Sequence, residues 1–422
     1  MQETLKIFEG EIKILLSEYF VGDEFNKLAI DSGSMSVSSG FSVNISELYK
    51  KQLDIKVDEA TERIQIDRTI TFAEKKLEQS KFLDFAFDLG QICISSGKLN
   101  LAQEIFNKIN RKTDDKNLKA KSLIGLADIC SRRANWTRSI SLITEAEAIY
   151  KETSNKAGIA NCFNLLGSIS GEMGDIDRAK SYFNQSLVFA DESSEKDLHA
   201  KIETNLGVVN SILGNTDEAV EHLESALMIY QEKNDSRRVA ETYLNIGLNF
   251  MQIENTSAAD SALDKGIEIS LDNQFLSTLA LLYLAKAQLL ISTREFIISR
   301  EFADKALSLS HILDDKLTIA DIYKVRGVIA KELKDSETAE SYLMISLRIN
   351  TKQRNALNIA ETSAEIAALY KEQGKHELSS NYFLQALDFY KKSNAKDKVA
   401  KIKKLMGLVT NQSDTLEVRN EQ

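Results

Sequence analysis

The stretch AKIETNLGVVNSILGNTDEAVEHLESALMIYQEKND, residues 200–235, decides the fold of this 422-residue chain. Three small residues within it, Gly207, Ala219 and Ala226, stand twelve and then seven positions apart, and a helix-stop signal, Gly214-Asn215, falls between the first two. Apolar residues at helical spacing surround all three, so the stretch reads as helix, tight turn, helix. Small residues at such sites let two helix backbones approach closely, and the intervening aliphatics fill the remaining space.

Outward from this stretch, the first small residue recurs every forty positions at Gly167, Gly207, Gly247, Ala287, Gly327, Ala367 and Gly407. Ala127 and Gly90 continue the series upstream at spacings of forty and thirty-seven. Twelve residues after each of the first eight comes a second column: Ala102, Ser139, Ala179, Ala219, Ala259, Ser299, Ala339 and Ser379. Seven further on lies a third: Ile109, Ala146, Ser186, Ala226, Gly266, Ala306, Ser346 and Ala386. In the last six repeats a Leu or Ile follows directly (Leu187, Leu227, Ile267, Leu307, Leu347, Leu387). Further stops stand at Gly97-Lys98, Gly174-Asp175 and Gly374-Lys375. A period of this size marks stacked helical units, an architecture that binds more often than it catalyses.

The composition agrees. With 43% hydrophobic residues, 27% charged residues and no proline, the chain suits long amphipathic helices better than sheets or loop-rich folds. A single globular core of this length would normally split into domains, whereas stacked repeats pack only on their neighbours and their core grows with repeat number. A net charge of −10 argues against nucleic-acid binding across the whole surface. No apolar run reaches the roughly 18 residues of a membrane span and no leader opens the chain, which predicts a cytoplasmic protein without membrane contact.

The columns resemble the tetratricopeptide repeat, in the longer forty-residue form of cell-polarity adaptors, kinesin light chains and bacterial peptide-sensing regulators. The resemblance covers roughly residues 80–407 in eight registered copies. One departure is the missing proline that commonly ends the shorter repeat; Gly, Asn and Asp stops, as in Lys233-Asn234-Asp235 and Asp314-Asp315, take its place. The resemblance implies an all-α, right-handed solenoid of about eight antiparallel helix hairpins with a helical N-terminal cap, the repeats occupying residues 81–409.

It also implies that the first helix of each repeat lines a concave groove. Residues six and two before the first-column position, and one and five after it, then form a stripe at helical spacing. Repeat three supplies Asn161, Leu165, Ser168 and Glu172; repeat four Lys201, Asn205, Val208 and Ile212; repeat five Glu241, Asn245, Leu248 and Gln252. Asn205 and Asn245 occupy equivalent places, where related peptide-binding solenoids use an asparagine ladder. An amide both donates and accepts, so it matches the main chain of an extended ligand whatever its sequence. Asn164, one place before the ladder position, is a candidate third rung. The opposing reading is that these amides are simply soluble residues on an exposed helix face. Further along, the stripe turns acidic, with Asp321 and Glu332 in repeat seven and Glu361, Glu365 and Glu372 in repeat eight. Lys324, Lys331 and Lys371 neutralise part of this charge; the remainder either selects a basic ligand segment or is a solvated face.

Outside the repeats, residues 1–46 comprise an amphipathic helix, with Leu5, Phe8, Ile12, Leu15, Leu16 and Tyr19 on one face, and a Gly/Ser-rich linker over 30–46. The helix either caps the first repeat or serves for dimerisation or docking. Residues 47–80 read as a degenerate hairpin or cap, and 410–422 as a polar, frayed tail. Seven lysines between Lys391 and Lys404 make the last hairpin basic, as an anion-binding patch or as a soluble end cap.

Signals for chemistry are sparse. His199, His222, His311 and His376 are read as lying far apart, with no second ligand at metal spacing. Cys93, Cys130 and Cys162 form no CxxC and read as core filling. The glycines build neither GxxxxGK[ST] nor GxGxxG. The expected protein is therefore a non-catalytic scaffold without cofactor or metal that binds a protein or an extended peptide. The alternative is a ligand-responsive sensor that controls a partner through its N-terminal helices.

Overall fold

The computed structural model describes residues 12, 15–16, 18–20, 59–95, 97–133, 135–193, 195–313, 315–353, 355–392 and 396–407. The linker expected over 30–46 and the tail over 410–422 lie outside them. The chain divides into two compact units, Met1–Leu166 and Gly167–Gln422. Among the described residues there are eighteen helices and no strand.

In the first unit α1 is Glu59–Lys76, α2 Gln79–Ser95, α3 Leu99–Lys112, α4 Lys116–Arg132 and α5 Trp136–Glu152; the division falls within α6, Lys156–Glu172. The second unit continues with α7 Ile176–Ser193, α8 Lys196–Leu213, α9 Thr216–Glu232, α10 Ser236–Gln252, α11 Thr256–Asp272 and α12 Leu276–Ser292. It ends with α13 Phe296–Ile312, α14 Lys316–Glu332, α15 Ser336–Gln353, α16 Ala356–Glu372, α17 His376–Lys392 and α18 Lys396–Met406. Helices pair as hairpins α2–α3 and α4–α5 in the first unit, and α8–α9, α10–α11, α12–α13, α14–α15 and α16–α17 in the second. In the second unit the first helices α8, α10, α12, α14 and α16 also touch one another in succession, so they form one layer of an all-α solenoid.

The small columns explain the hairpins. A methyl group added at Gly207 would lie 2.6 Å from Leu223 Cγ, and one at Gly247 or Gly327 would meet Leu263 or Leu343 equally closely. Every second-column residue is buried. The columns also covary: wherever the first is Gly the second is Ala, and wherever the first is Ala (Ala127, Ala287, Ala367) the second is Ser. Each of these serines, buried in the hairpin, donates its hydroxyl to the carbonyl of the first-column residue twelve positions earlier, at 2.7–2.8 Å. The polar atom is thereby satisfied inside the hairpin. The third column is buried throughout and faces the next repeat; a methyl on Gly266 would meet Leu282 of α12 at 2.7 Å. Gly407 departs from its series, since it ends α18 in the left-handed conformation (φ +79°) with open space around it.

Helix starts obey a twenty-residue rhythm set by the forty-residue repeat. Asp115, Asn135, Asp235, Asn255, Asp315 and Asn355 each stand at an N-cap and accept a backbone N–H from the first turn. Of the residues expected as helix stops, Asn234 follows α9 in the left-handed conformation (φ +57°), whereas Asp235 and Asp315 start the following helices. Among the described residues the turns between first and second helices place a left-handed residue at one fixed position: Gly97, Gly174, Gly214 and Gly374 fill it in four repeats, and Glu254, Arg294 and Lys334 adopt the same conformation (φ +58° to +64°) in three more.

The described part of the leading helix packs within the first unit. Leu15, Leu16 and Phe20 are buried, the Tyr19 hydroxyl donates to Asp88 at 2.7 Å, and Phe20 lies against Phe72 of α1 and Phe85 of α2. This is the geometry of a cap on the α1–α2 edge.

Candidate functional site

The first-helix layer of the second unit carries the expected stripe. On α8, Ile202, Leu206 and Val209 turn inward and are buried, which leaves Lys201 exposed, Asn205 half-buried, and Val208 and Ile212 exposed at 37% and 57%. On α10, Val239, Leu244 and Ile246 are buried, while Asn245 is half-buried and Leu248 and Gln252 are exposed. Glu241 is half-buried and pairs with Arg238 at 3.0 Å. Because α8 and α10 are adjacent, the structure brings these two rows together. Asn164, in the first unit, is 3% exposed, whereas Asn205 and Asn245 are half-buried. Its place one residue before the ladder position turns it by about 100° around the helix, into the core.

The acidic end of the stripe is internally countered. Lys324 Nζ lies 2.6 Å from Glu361 and 3.2 Å from Asp321, and Lys331 Nζ lies 2.8 Å from Glu365. Burial acts to lower the Lys324 ammonium, but Glu361 and Asp321 outweigh it and hold it above the ordinary lysine value. Burial likewise acts to raise Glu361, and Lys324 outweighs it and holds the carboxyl below the ordinary range. Asp321 is pushed up, chiefly by burial. Glu372 pairs with Lys334, while the exposed Lys398 and Lys401 of α18 add their field at Glu361. A ligand cation at this end would compete with lysines already in place.

Sequence reasoning missed one cluster. His199 and His222, expected far apart, both face Glu203: His222 Nδ1 lies 2.5 Å from one carboxylate oxygen and His199 Nε2 3.8 Å from the other, with Asp191 at 3.0 Å from His199. The available signal was spacing, since Glu203 and His222 are nineteen residues apart, as are Tyr283 and Phe302, which stack across a later hairpin. Among the described residues no group of three or more His, Cys, Asp or Glu side chains could hold a metal ion. No helix among them is long and apolar enough to cross a membrane. The three cysteines are free; Cys93 and Cys162 are fully buried, and burial pushes each thiol up to about 12.

Comparison with known proteins agrees with this architecture. Tetratricopeptide repeat family models match residues 160–187 and 198–272. No curated protein sequence matches the chain. Among solved structures, a Rap protein complexed with competence and sporulation factor is similar over 85% of this chain and 98% of its own, at 14% identity and a TM-score of 0.60. The apo form of the quorum sensor NprR from B. thuringiensis is similar over 82% of this chain and 99% of its own, at 14% identity and a TM-score of 0.57. Aspartyl phosphate phosphatase F from Bacillus subtilis is similar over 89% of this chain and 98% of its own, at 13% identity and a TM-score of 0.55. Residues 160–187 and 198–272 thus match tetratricopeptide repeats, and the fold over most of the chain is similar to that of these three solved structures.

Proposed function

We propose that this protein is a non-catalytic, cytoplasmic binding scaffold that holds an extended peptide or protein segment along its first-helix layer. The observation that carries the proposal is the pairing of Asn205 with Asn245 on adjacent helices, each followed one turn later by an exposed apolar side chain, Val208 and Leu248. Amides at one register would hold a main chain, and the apolar residues would take alternate side chains. Lys201, Glu241 and Gln252 would border the segment. Asp321, Glu361 and Glu365 would take a basic end only by displacing Lys324 and Lys331. Residues 1–46 and 47–80 would close the leading edge of the repeats over 81–409, and 410–422 would follow them as a tail.

A second reading is favoured by the packing of the leading helix on α1 and α2. Ligand binding would change the arrangement of the repeats, and the N-terminal helices would carry that change to a partner. One neighbour of this fold is a quorum sensor and another is complexed with competence and sporulation factor; at 14% identity these supply the fold and leave the ligand open.

The test is selection of linear peptides from a random display library on the full chain, with a counter-screen against Asn205→Ala/Asn245→Ala. The proposal expects enriched peptides that the double variant loses. Peptides retained equally by both proteins would remove the amide pair from the site, and a library that yields none would contradict a groove for extended ligands.

A further inference from the structure

Exposed apolar side chains of the second unit gather at one edge, where the first helix of each repeat turns into the second. The residue directly before the left-handed turn position is Met173, Leu213, Ile253 or Leu333 in four repeats, each exposed at 36–57%. In two repeats that residue is polar, Thr293 or Gln373, and there the first turn of the second helix carries the exposed side chain instead, Ile297 on α13 and Leu378 on α17. Six successive repeats, from α6 to α17, thus bring at least one large apolar group to the same edge. Among the described residues of this unit, the opposite edge carries exposed large apolar groups only at Leu271, Leu317 and Leu357.

A continuous apolar stripe rimmed by charge marks a contact surface. The rim has one dominant sign. In the six turn segments 173–178, 213–218, 253–258, 293–298, 333–338 and 373–378, carboxylates outnumber lysine and arginine nine to four. Glu218 is countered by Lys180 at 2.8 Å, and the remaining eight still exceed the four cations. Such a rim repels a second copy of this chain, whose edge carries the same sign, and an anionic lipid surface; it attracts a cationic protein segment. Spacing adds the form of that segment. The first helices α8, α10, α12, α14 and α16 touch in succession, and packed helices stand about 8–10 Å apart. An α-helix climbs roughly 10 Å in seven residues, so a helix laid along the edge with an apolar side chain in each heptad would meet one apolar group per repeat.

We propose that this turn edge of the second unit is a docking surface for a basic amphipathic helix of a partner protein. It is a second surface, separate from the first-helix face that carries Asn205 and Asn245, and it does not depend on the ligand proposed for that face.

The test uses a fluorescein-labelled synthetic helix with leucine at the first and fourth positions of each heptad and lysine elsewhere, titrated with the full chain and followed by anisotropy. A counterpart carries glutamate in place of lysine. The lysine peptide should bind at least about tenfold more tightly than the glutamate peptide, and Leu213→Ser/Ile253→Ser should weaken it about tenfold or more. Ile297→Ser/Leu333→Ser should act likewise, and decides if the first pair fails to fold. Val188→Ser/Met228→Ser, exposed on α7 and α9, should leave the affinity unchanged, as should Asn205→Ala/Asn245→Ala. Equal loss from the edge pairs and the Val188/Met228 pair, preference for the glutamate peptide, or no binding would overturn the proposal. Loss confined to the Asn205→Ala/Asn245→Ala protein would put the peptide on the first-helix face and overturn it as well. Self-association of the chain alone, abolished by Leu213→Ser/Ile253→Ser, would assign the edge to a second copy instead. A failure of the amide-row reading changes none of the results expected from the edge variants.

Discussion

Gly207→Ala places one methyl group where α8 and α9 approach most closely. That carbon would lie 2.6 Å from Leu223 Cγ, 2.8 Å from its Cδ2 and 3.2 Å from the Ala219 carbonyl oxygen. Carbon atoms pack at about 3.5–4.0 Å, so Leu223, fully buried, must retreat by roughly an ångström into filled space. Two effects oppose each other. Alanine favours a helix over glycine by about 1 kcal/mol, whereas overpacking a core costs about 1–3 kcal/mol. The clash should win, with a net loss of about 1–2 kcal/mol for Ala and more for Gly207→Leu. Gly171 supplies the control, because a methyl there meets only Ala179 Cβ at 3.9 Å. Gly171→Ala should therefore gain up to about 1 kcal/mol. Urea unfolding followed by far-UV circular dichroism measures both, and a Gly207→Ala protein as stable as wild type would refute the close-packing account of the first column.

Asp315→Ala removes the side chain that accepts the Thr318 N–H at the start of α14, and should lower stability by about 1 kcal/mol in the same urea assay. The charged cluster of repeats seven and eight yields two opposite pH effects. Glu361 is held below its ordinary range, so its charge stabilises the fold at neutral pH and that contribution is lost as pH falls through the folded value. Asp321 is pushed up by burial, so its charge opposes folding at neutral pH and acidification relieves the penalty. Glu361→Gln should accordingly lower the Tm at pH 7 and Asp321→Asn should raise it, both differences shrinking towards pH 3; differences of the same sign would contradict the assignment. Asn205→Ala/Asn245→Ala should leave helicity unchanged and weaken a selected peptide by roughly 1–3 kcal/mol, measured by isothermal titration.

Much of this fold was legible in the sequence because small residues at a fixed period have one physical meaning. Gly207, Ala219 and Ala226 mark three close approaches, and all three are found packed. The covariation of Gly with Ala and of Ala with Ser is equally present in the sequence, but its reason, the serine hydroxyl bonding a carbonyl twelve residues back, needs coordinates. The stripe was legible in part: helical spacing placed Val208 and Leu248 on an exposed face, whereas one residue of offset put Asn164 inside. Charge was the least legible feature. Lys324 and Glu361 stand thirty-seven residues apart and meet only because α14 and α16 are neighbours in the layer. His199 and His222 are twenty-three residues apart and converge on Glu203, His199 from one turn earlier on α8 and His222 from α9 across the hairpin.

Site-specific photocrosslinking tests the binding face most directly. A benzophenone amino acid would replace Val208 or Leu248 on the first-helix layer, or Val188 or Met228, which are exposed on the second helices α7 and α9. Each protein would be irradiated with a peptide selected from the linear library. Crosslinks from positions 208 and 248 that excess unlabelled peptide abolishes, with none from 188 and 228, are the expected result; crosslinks confined to 188 and 228 would show that the ligand binds elsewhere.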